Sequence, residues 1–475
     1  MNILVIGSGG REHAICRSFS KSARVTGLFC ANGNAGIAEV AQCVPIRPDD
    51  TRGLAAFAVA SGIDLTFVGG ETSLALGIVD EFESRGLKII GPNREAAQLE
   101  ASKSFSKNFM VRHGVPTAKF VTAHSPEFAI LELESGDFGD ENTPVVVKAD
   151  GLAAGKGVVV AANRAEAIAA INEMAALVGT AAADKIVLEE CLVGREVSLL
   201  MFVDGEDFAL MPPVRDHKRI GEGDTGPNTG GMGTITDASL LTAGELKIIT
   251  DKIIRPTLHG CIREGFPFRG ILFLGIMMAE RVSSPTVREG VAPATIQDDT
   301  LPYGRATDTK PMLLEYNVRF GDPETQAILV RLETELVDIC EAMLNGAISS
   351  LDIKWQAGNS ACVVLASKGY PNQPQTGDAI YGLEEVKAIA GVEVFHAGTS
   401  FESVPPAVAG GAWLTEGSSP VTHHSPLFLT SGGRVLGVTA TGSDLAATLG
   451  TAYAAVSKIS FNGMKYRRDI GNQRP

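Results

Sequence analysis

In MLLEYNVRFGDPET (312–325), Glu315, Asn317 and Arg319 fall at every second position, so a strand here presents all three on one face and Leu314, Tyr316 and Val318 on the other. A carboxylate beside an amide oxygen makes a pair of hard ligands for Mg2+, an ion that keeps waters and draws further ligands from substrate phosphates. An arginine next to them braces the charge that develops on a phosphoryl group in transit. Upstream, VVVKADGLAAGKGVVVA (145–161) reads as strand, turn, strand. Its small turn residues let backbone N–H groups approach oxygens, and Lys148 and Lys156 supply charge, which suits phosphate. Together the two stretches point to phosphoryl chemistry on a metal-bound nucleotide.

Two familiar phosphate motifs fail on inspection. VIGSGGREH follows a strand and opens a helix, but the dinucleotide fingerprint needs a glycine where Glu12 stands, and CANGNAG after the second strand has no acid for a ribose diol. A nicotinamide oxidoreductase is therefore disfavoured, and Gly7, Gly9 and Gly10 are left as either an anion site at a helix N-terminus or a tight strand-to-helix turn without a ligand. The 151–157 turn is not a Walker loop either. Three residues separate Gly151 from Gly155, Gly157 follows Lys156 in place of Ser or Thr, and the chain re-enters a strand, so a glycine hairpin closing over a nucleotide fits better. RDHKRIGEGDTGPNTGGMG (215–233) packs Asp216, His217, Lys218 and Arg219 ahead of six glycines. Glycine is entropically costly to order and adjacent charges are costly to bury, so this reads as a flexible loop that handles a charged substrate. His217 receives no catalytic role, because a histidine between charged neighbours is expected to be solvated. Glu189 and Glu190 close the strand KIVLEE, either as ribose ligands or simply as its end.

These pieces need elements to position them. The 475 residues exceed one core and divide into about three domains. Short apolar runs at 2–7, 25–31, 64–70 and 87–91 alternate with helical patterns, which predicts a parallel sheet with crossover helices. A helix is expected over 95–113, followed by a joint at GVPTAKFV and a second domain. That domain closes on a long helix through DPETQAILVRLETELVDICEAML, with Asp322 as N-cap and Pro323 in the first helical position. ACVVLAS, VEVFHAG and GGRVLGVTATG supply strands of a third domain, with a closing helix near 444–458. Segments 281–310 and 402–430 lack periodicity and read as loops without a role. A net charge of −14 opposes non-specific nucleic-acid binding. Seven cysteines without a CxxC pair suggest neither a zinc site nor disulfides, and no apolar stretch approaches the length of a membrane span. A cytoplasmic monomer working on small molecules is expected, with neither nucleic acid nor membrane as partner.

GSGGREHA, GPNREAAQLEASKSF, VVVKADGLAAGKGVVVA, DHKRIGEGDTGPNTGGMG and LLEYNVRFGDPETQ, followed by GYP and GGRVLGVTA, occur in this order across nearly the whole chain. In these stretches the sequence closely resembles the phosphoribosylamine-glycine ligases, or glycinamide ribonucleotide synthetases, of the ATP-grasp superfamily. The resemblance implies an α/β and α+β multidomain fold: a Rossmann-like N-terminal domain (1–101), an ATP-grasp core (102–345) with a mobile flap at about 120–192, and a small C-terminal α+β domain (346–475). It implies ligation of glycine to 5-phosphoribosylamine with ATP and Mg2+ or Mn2+. Lys103 and Lys148 match the family's phosphate lysines, and Gly155, Lys156 and Gly157 lie in its flap. Glu189, Glu190 and Leu192 match the hinge facing adenine, Glu196 the ribose contact, and Glu315 and Asn317 the metal ligands. Arg319 and Lys148 are the expected catalytic groups. Substrate contacts are expected from Gly9 and Gly10, from Asp216, Lys218, Asn228, Thr229 and Gly230, and from Asp322, Glu324 and Thr325, with Asp322 or Glu324 holding the glycine ammonium. The family usually carries Pro where Gly70 stands and an aromatic where Cys191 stands. Another ATP-grasp carboxylate–amine ligase, or a nucleotide-binding regulator without catalysis, are the rival readings.

Overall fold

The computed structural model describes residues 1–151, 157–179, 184–280, 309–402 and 427–472. Its N-terminal part is the expected parallel sheet, in the order Gln42–Val44, Gly27–Asn32, Asn2–Gly7, Leu65–Val68, Ile89–Ile90. Both faces are covered, so the strands read as continuous apolar runs. Alternate residues serve opposite cores: Leu4 and Ile6 fill one, Ile3 and Val5 the other. The same division continues in Gly194–Asp204, where Val197, Leu199 and Met201 join the first core and Leu200 and Phe202 the second. The N-terminal sheet and the central sheet are thereby packed through shared side chains.

That central sheet is built on Gly194–Asp204 paired antiparallel with Arg269–Glu280, which pairs in turn with Thr309–Asn317. Towards the C-terminus it continues through Val214–Asp216, Gly233–Thr236 and Asn359–Ala366 to Arg434–Gly442 and Val392–His396. The three strands expected after residue 360 exist, as does the closing helix, Leu445–Val456. They extend the central sheet rather than forming one of their own. A separate four-stranded antiparallel sheet, Phe120–Ala123, Ile186–Glu190, Val145–Ala149 and Val158–Ala161, carries its own core of Ala and Val side chains with Ile171 and Met174 from the helix Arg164–Val178.

Two expected helices are broken. The 95–113 pattern divides into Gln98–Ala101 and Lys103–Arg112 because Ser102 is extended and caps the second helix, its side chain accepting from the Phe105 N–H. The helix expected from Asp322 runs only over Glu324–Leu329 and resumes at Leu336–Leu344. Between them Leu332 leaves the helix to form an antiparallel bridge with Trp355, and Arg331 turns inward to Thr236 Oγ1 and the Gln356 carbonyl at 2.9 Å each. Pro323 is the N-cap; the Asp322 carboxylate instead accepts from Gln326 Nε2 at 2.8 Å. The 215–233 segment is also more ordered than expected, forming the hairpin Arg219–Gly221 and Thr225–Asn228. The segments 281–308 and 403–426, which hold most of the two insertions, lie outside the described residues. The flanks of the insertions are strands, Thr309–Asn317 and Phe428–Thr430.

Candidate active site

Opposite Thr309–Asn317, Gly275 pairs with Glu315 and Phe273 with Asn317, and the register shifts by one residue so that Leu314 is passed over. This bulge corrects the simple alternation. Tyr316 and Val318 are buried as expected, but Leu314 lines the cleft instead of joining them. Gly275 leaves room beside Glu315: a Cβ there would make a tight contact, 3.2 Å from Glu315 Cγ.

The cleft has a volume of about 1690 Å³ and lies between the four-stranded sheet and the central sheet. Most expected residues line it. From the nucleotide set these are Lys103, Lys148, Gly157, Glu189, Glu190, Leu192 and Glu196, together with Glu315, Asn317 and Arg319. From the substrate set they are Asp216, Lys218, Asn228, Thr229, Gly230, Asp322 and Glu324. Gly9, Gly10 and Thr325 are not among its lining residues, and Gly155 and Lys156 lie outside the described residues. At the N-terminal turn Glu12 folds back, accepting from the Gly9 N–H at 2.6 Å and pairing with Arg11 Nε at 2.6 Å. The acid that breaks the dinucleotide fingerprint thus occupies the space over Gly7 and Gly69, where an added Cβ would meet it at 2.4 and 2.2 Å. The Gly9 N–H is engaged within the protein rather than offered to an anion. Gly10 instead allows close approach of Gln326, whose Nε2 would lie 2.6 Å from a Cβ.

Cations gather on the wall formed by the four-stranded sheet and the helix that Lys103 opens. Lys103 opens its helix and donates to the Gly151 carbonyl at 2.8 Å. Lys148 stands within 2.8 Å of Glu189 Oε1, and Lys107 reaches Glu189 Oε2 at 2.8 Å. Both members of the Lys107–Glu189 pair are only 2 % exposed. The Glu189 carboxylate therefore holds two lysines. Burial is the main cause that pushes Lys107 down to about 8. Sequence reasoning missed Lys107, although it lies one helical turn beyond Lys103 and so on the same face. Glu190 accepts from the Lys119 N–H at 2.8 Å, and Glu196 pairs with Lys218. Around Glu315, burial pushes the carboxyl up, but Lys218, Lys148, Lys103 and Arg319 outweigh it and hold it below the usual carboxylate range. A carboxylate kept ionised beside an amide oxygen meets the donor requirements of a divalent cation. Among the described residues no group of three or more His, Cys, Asp or Glu side chains could hold a metal ion by itself.

Elsewhere in the cleft the balance reverses. Asp322 is neutralised by Arg434, Nη2 to Oδ2 3.2 Å, and lies below its usual range, burial being overcome by Arg434 and Arg11. Asp216 and Glu324 have no such pairing among the described residues. Burial raises both carboxyls, and the mutual repulsion of Asp216 and Glu324 raises Asp216 further. Thr229 donates from its N–H and its hydroxyl to the Lys218 carbonyl at 2.8 and 2.9 Å, and Gly230 is fixed by Tyr370 Oη at 3.2 Å. Arg467, 1 % exposed, anchors the 219–228 hairpin through Asp224 at 2.6 Å and the Arg219 carbonyl at 3.1 Å. His217 is not solvated as expected. It is buried with Nδ1 at 3.1 Å from the Gly233 carbonyl and Nε2 accepting from the Gly471 N–H at 3.2 Å, and burial pushes it down to about 4.

A nucleotide-sized cleft between a small antiparallel sheet and a longer one, with lysines on one wall and a Glu–Asn pair on the other, defines an ATP-grasp protein. The fold is shared with the biotin carboxylase domain of the Hydrogenobacter thermophilus 2-oxoglutarate carboxylase, solved with MgADP, ADP and bicarbonate (TM-score 0.66, 13 % identity, 98 % of this chain and 91 % of that one). Three family models match in succession: the phosphoribosylglycinamide synthetase N domain over residues 1–100, its ATP-grasp (A) domain over 101–290 and its C domain over 360–473. The chain is 40 % identical over 476 aligned residues to a phosphoribosylamine–glycine ligase of Xanthomonas axonopodis, covering 99 % of this chain and 97 % of the relative, and 41 % identical to that of Pseudomonas aeruginosa over the same shares. A crystal structure of phosphoribosylamine–glycine ligase from Thermotoga maritima superposes with TM-score 0.77 at 29 % identity, covering 99 % and 100 % of the two chains. The chain belongs to the phosphoribosylglycinamide synthetase family and is an ATP-dependent carbon–nitrogen ligase.

Proposed function

We propose that this chain joins glycine to 5-phosphoribosylamine, giving glycinamide ribonucleotide, ADP and phosphate in purine biosynthesis, and that it works as a cytoplasmic monomer. A glycine carboxylate is a poor acyl donor. Its oxygen attacks the terminal phosphorus of ATP, ADP leaves, and glycyl phosphate forms; the phosphoribosylamine nitrogen then attacks the carbonyl and expels phosphate. Lys103 and Lys148 hold the triphosphate. Mg2+ or Mn2+, bound by Glu315 and Asn317, supplies charge neutralisation at the phosphates. Arg319 stabilises the phosphoryl group in transit. Leu192 and the adjoining hinge face adenine, while Glu189 acts by orienting Lys148. The glycine ammonium rests on Glu324 with Asp216 beside it, because Asp322 already has Arg434.

The observation that carries this reading is Glu315 on the strand that also bears Asn317, both lining the cleft, with Lys103, Lys148, Lys218 and Arg319 gathered around the carboxylate. The test is ADP release with glycine alone, phosphoribosylamine alone and both together. The reading requires both for steady turnover; turnover that needs a different acid or amine supports another ATP-grasp ligase instead.

A further inference from the structure

Glu100 is given no part in the chemistry above, yet it touches two of the pieces that carry it. It lies in the short helix Gln98–Ala101, two residues before Ser102 caps the helix that Lys103 opens. Its Oε1 is 2.7 Å from Arg319 Nη2, and its Oε2 accepts from the Val318 N–H at 2.8 Å. Val318 directly follows Asn317. One carboxylate, with a side chain 9 % exposed, therefore grips the guanidinium and the backbone between Asn317 and Arg319.

We propose that Glu100 is a positioning residue for phosphoryl transfer, holding the Arg319 guanidinium and the Asn317–Val318 backbone in one frame anchored to the Lys103 helix. An arginine on its own must lose the rotamer freedom of a long side chain before it can meet a transferring phosphoryl group in a fixed direction. In this structure its three nitrogens are addressed separately. Glu71 Oε2 lies 3.2 Å from Nε, the Phe320 carbonyl accepts from Nη1 at 3.3 Å, and Glu100 takes Nη2. Glu71 is the weaker brace, because its contact is longer, its side chain is 27 % exposed and it stands 3.9 Å from Arg11 as well. Glu100 alone of these two carboxylates also fixes the peptide next to the metal-ligand candidate, so its removal releases the guanidinium and the strand exit together.

The inference rests on the reading of Arg319 given under Proposed function, and a double-mutant cycle with the full-length enzyme separates the two. Glu100→Gln is expected to lower kcat about tenfold to hundredfold, the scale of a small misplacement of a reacting group, while the KM for ATP stays within about twofold and the melting midpoint is preserved. Added to Arg319→Lys, it should cost nothing further, because the two act as one unit. Wild-type kcat in Glu100→Gln, or losses that add in the double variant, overturn the proposal. If Arg319→Lys itself turns over at the wild-type rate, the role of Arg319 and this inference fall together; if only Arg319→Lys is slow, this inference alone falls. Should Glu100→Gln melt below the assay temperature, Glu100→Asp carries the test. Its charge is retracted by one methylene, so the same selective fall in kcat is expected, and an undiminished kcat overturns the proposal.

Discussion

Glu315 and the Asp216–Glu324 pair line one cleft, Glu324 buried and the other two half-buried, and their surroundings treat them in opposite ways. At Glu315 the four cations outweigh burial and the carboxyl is held down. At Asp216 burial is joined by repulsion from Glu324, Lys218 answers only in part, and the carboxyl is pushed up. Burial is common to both, so the count and sign of near neighbours decide the outcome. The first region has positive charge to spare and suits a triphosphate with its cation. The second has negative charge to spare and suits an ammonium. A ligase that activates an amino acid needs the two regions side by side.

The largest effect is expected from the first region. Glu315→Ala should reduce ADP formation about 10³-fold while the circular dichroism spectrum stays that of the wild type; undiminished ADP formation would erase the distinction drawn here. In the second region, Glu324→Gln should raise the KM for glycine about tenfold or more, the cost of losing one charge-assisted contact, with the KM for ATP unchanged. An equal rise for ATP would mean that the two regions are not separate sites. Lys107→Met tests the support behind the first region. It removes one of the two lysines on Glu189, which sits 2 % exposed, and should destabilise the protein by about 1–3 kcal/mol. That is less than the cost of stripping a buried acid of its last partner, because Lys148 remains; thermal melting reads the difference.

How much of this was legible in the sequence differs between the same regions. The alternation through Glu315, Asn317 and Arg319 identified the strand, and its only failure was Leu314, displaced by a bulge that depends on the pairing with Gly275 and Ile276. The hairpin around Lys148 and the parallel N-terminal sheet were visible as local patterns. Long-range partners were not. In the sequence Glu189 reads as a ribose contact, an adenine-hinge residue or a strand end, and only the fold brings Lys107 and Lys148 onto it; Glu100 falls within an expected helix, and only the fold brings residue 319 back to it from 219 positions away. The break at 330–335 escaped because its cause, Trp355 and Gln356, lies downstream. The strands after 360 read correctly as strands, but nothing local says that they add to the central sheet.

The smallest effect is expected outside the cleft, where the N-terminal helix meets the C-terminal strands. His13 Nδ1 accepts from the His396 N–H at 2.8 Å, and burial lowers His13 to about 3 and His396 to about 4. Both bind protons more readily when unfolded, so the stability they allow is complete above the unfolded value near 6.5 and falls as pH drops towards 4. His13→Asn keeps an acceptor near the Nδ1 position without a titrating ring, and should flatten the loss of melting midpoint between pH 6.5 and 4. An unchanged slope would remove His13 from the cause.

The central claim of the proposal is that Glu315 and Asn317 would together hold one divalent cation that neutralises the phosphates of the nucleotide. Crystals grown with a non-hydrolysable ATP analogue, Mn2+ and glycine test it directly through the anomalous signal of the metal. The account predicts a peak about 2 Å from oxygens of both Glu315 and Asn317 and in contact with the terminal phosphates. A metal bound to the triphosphate but touching neither side chain would contradict it.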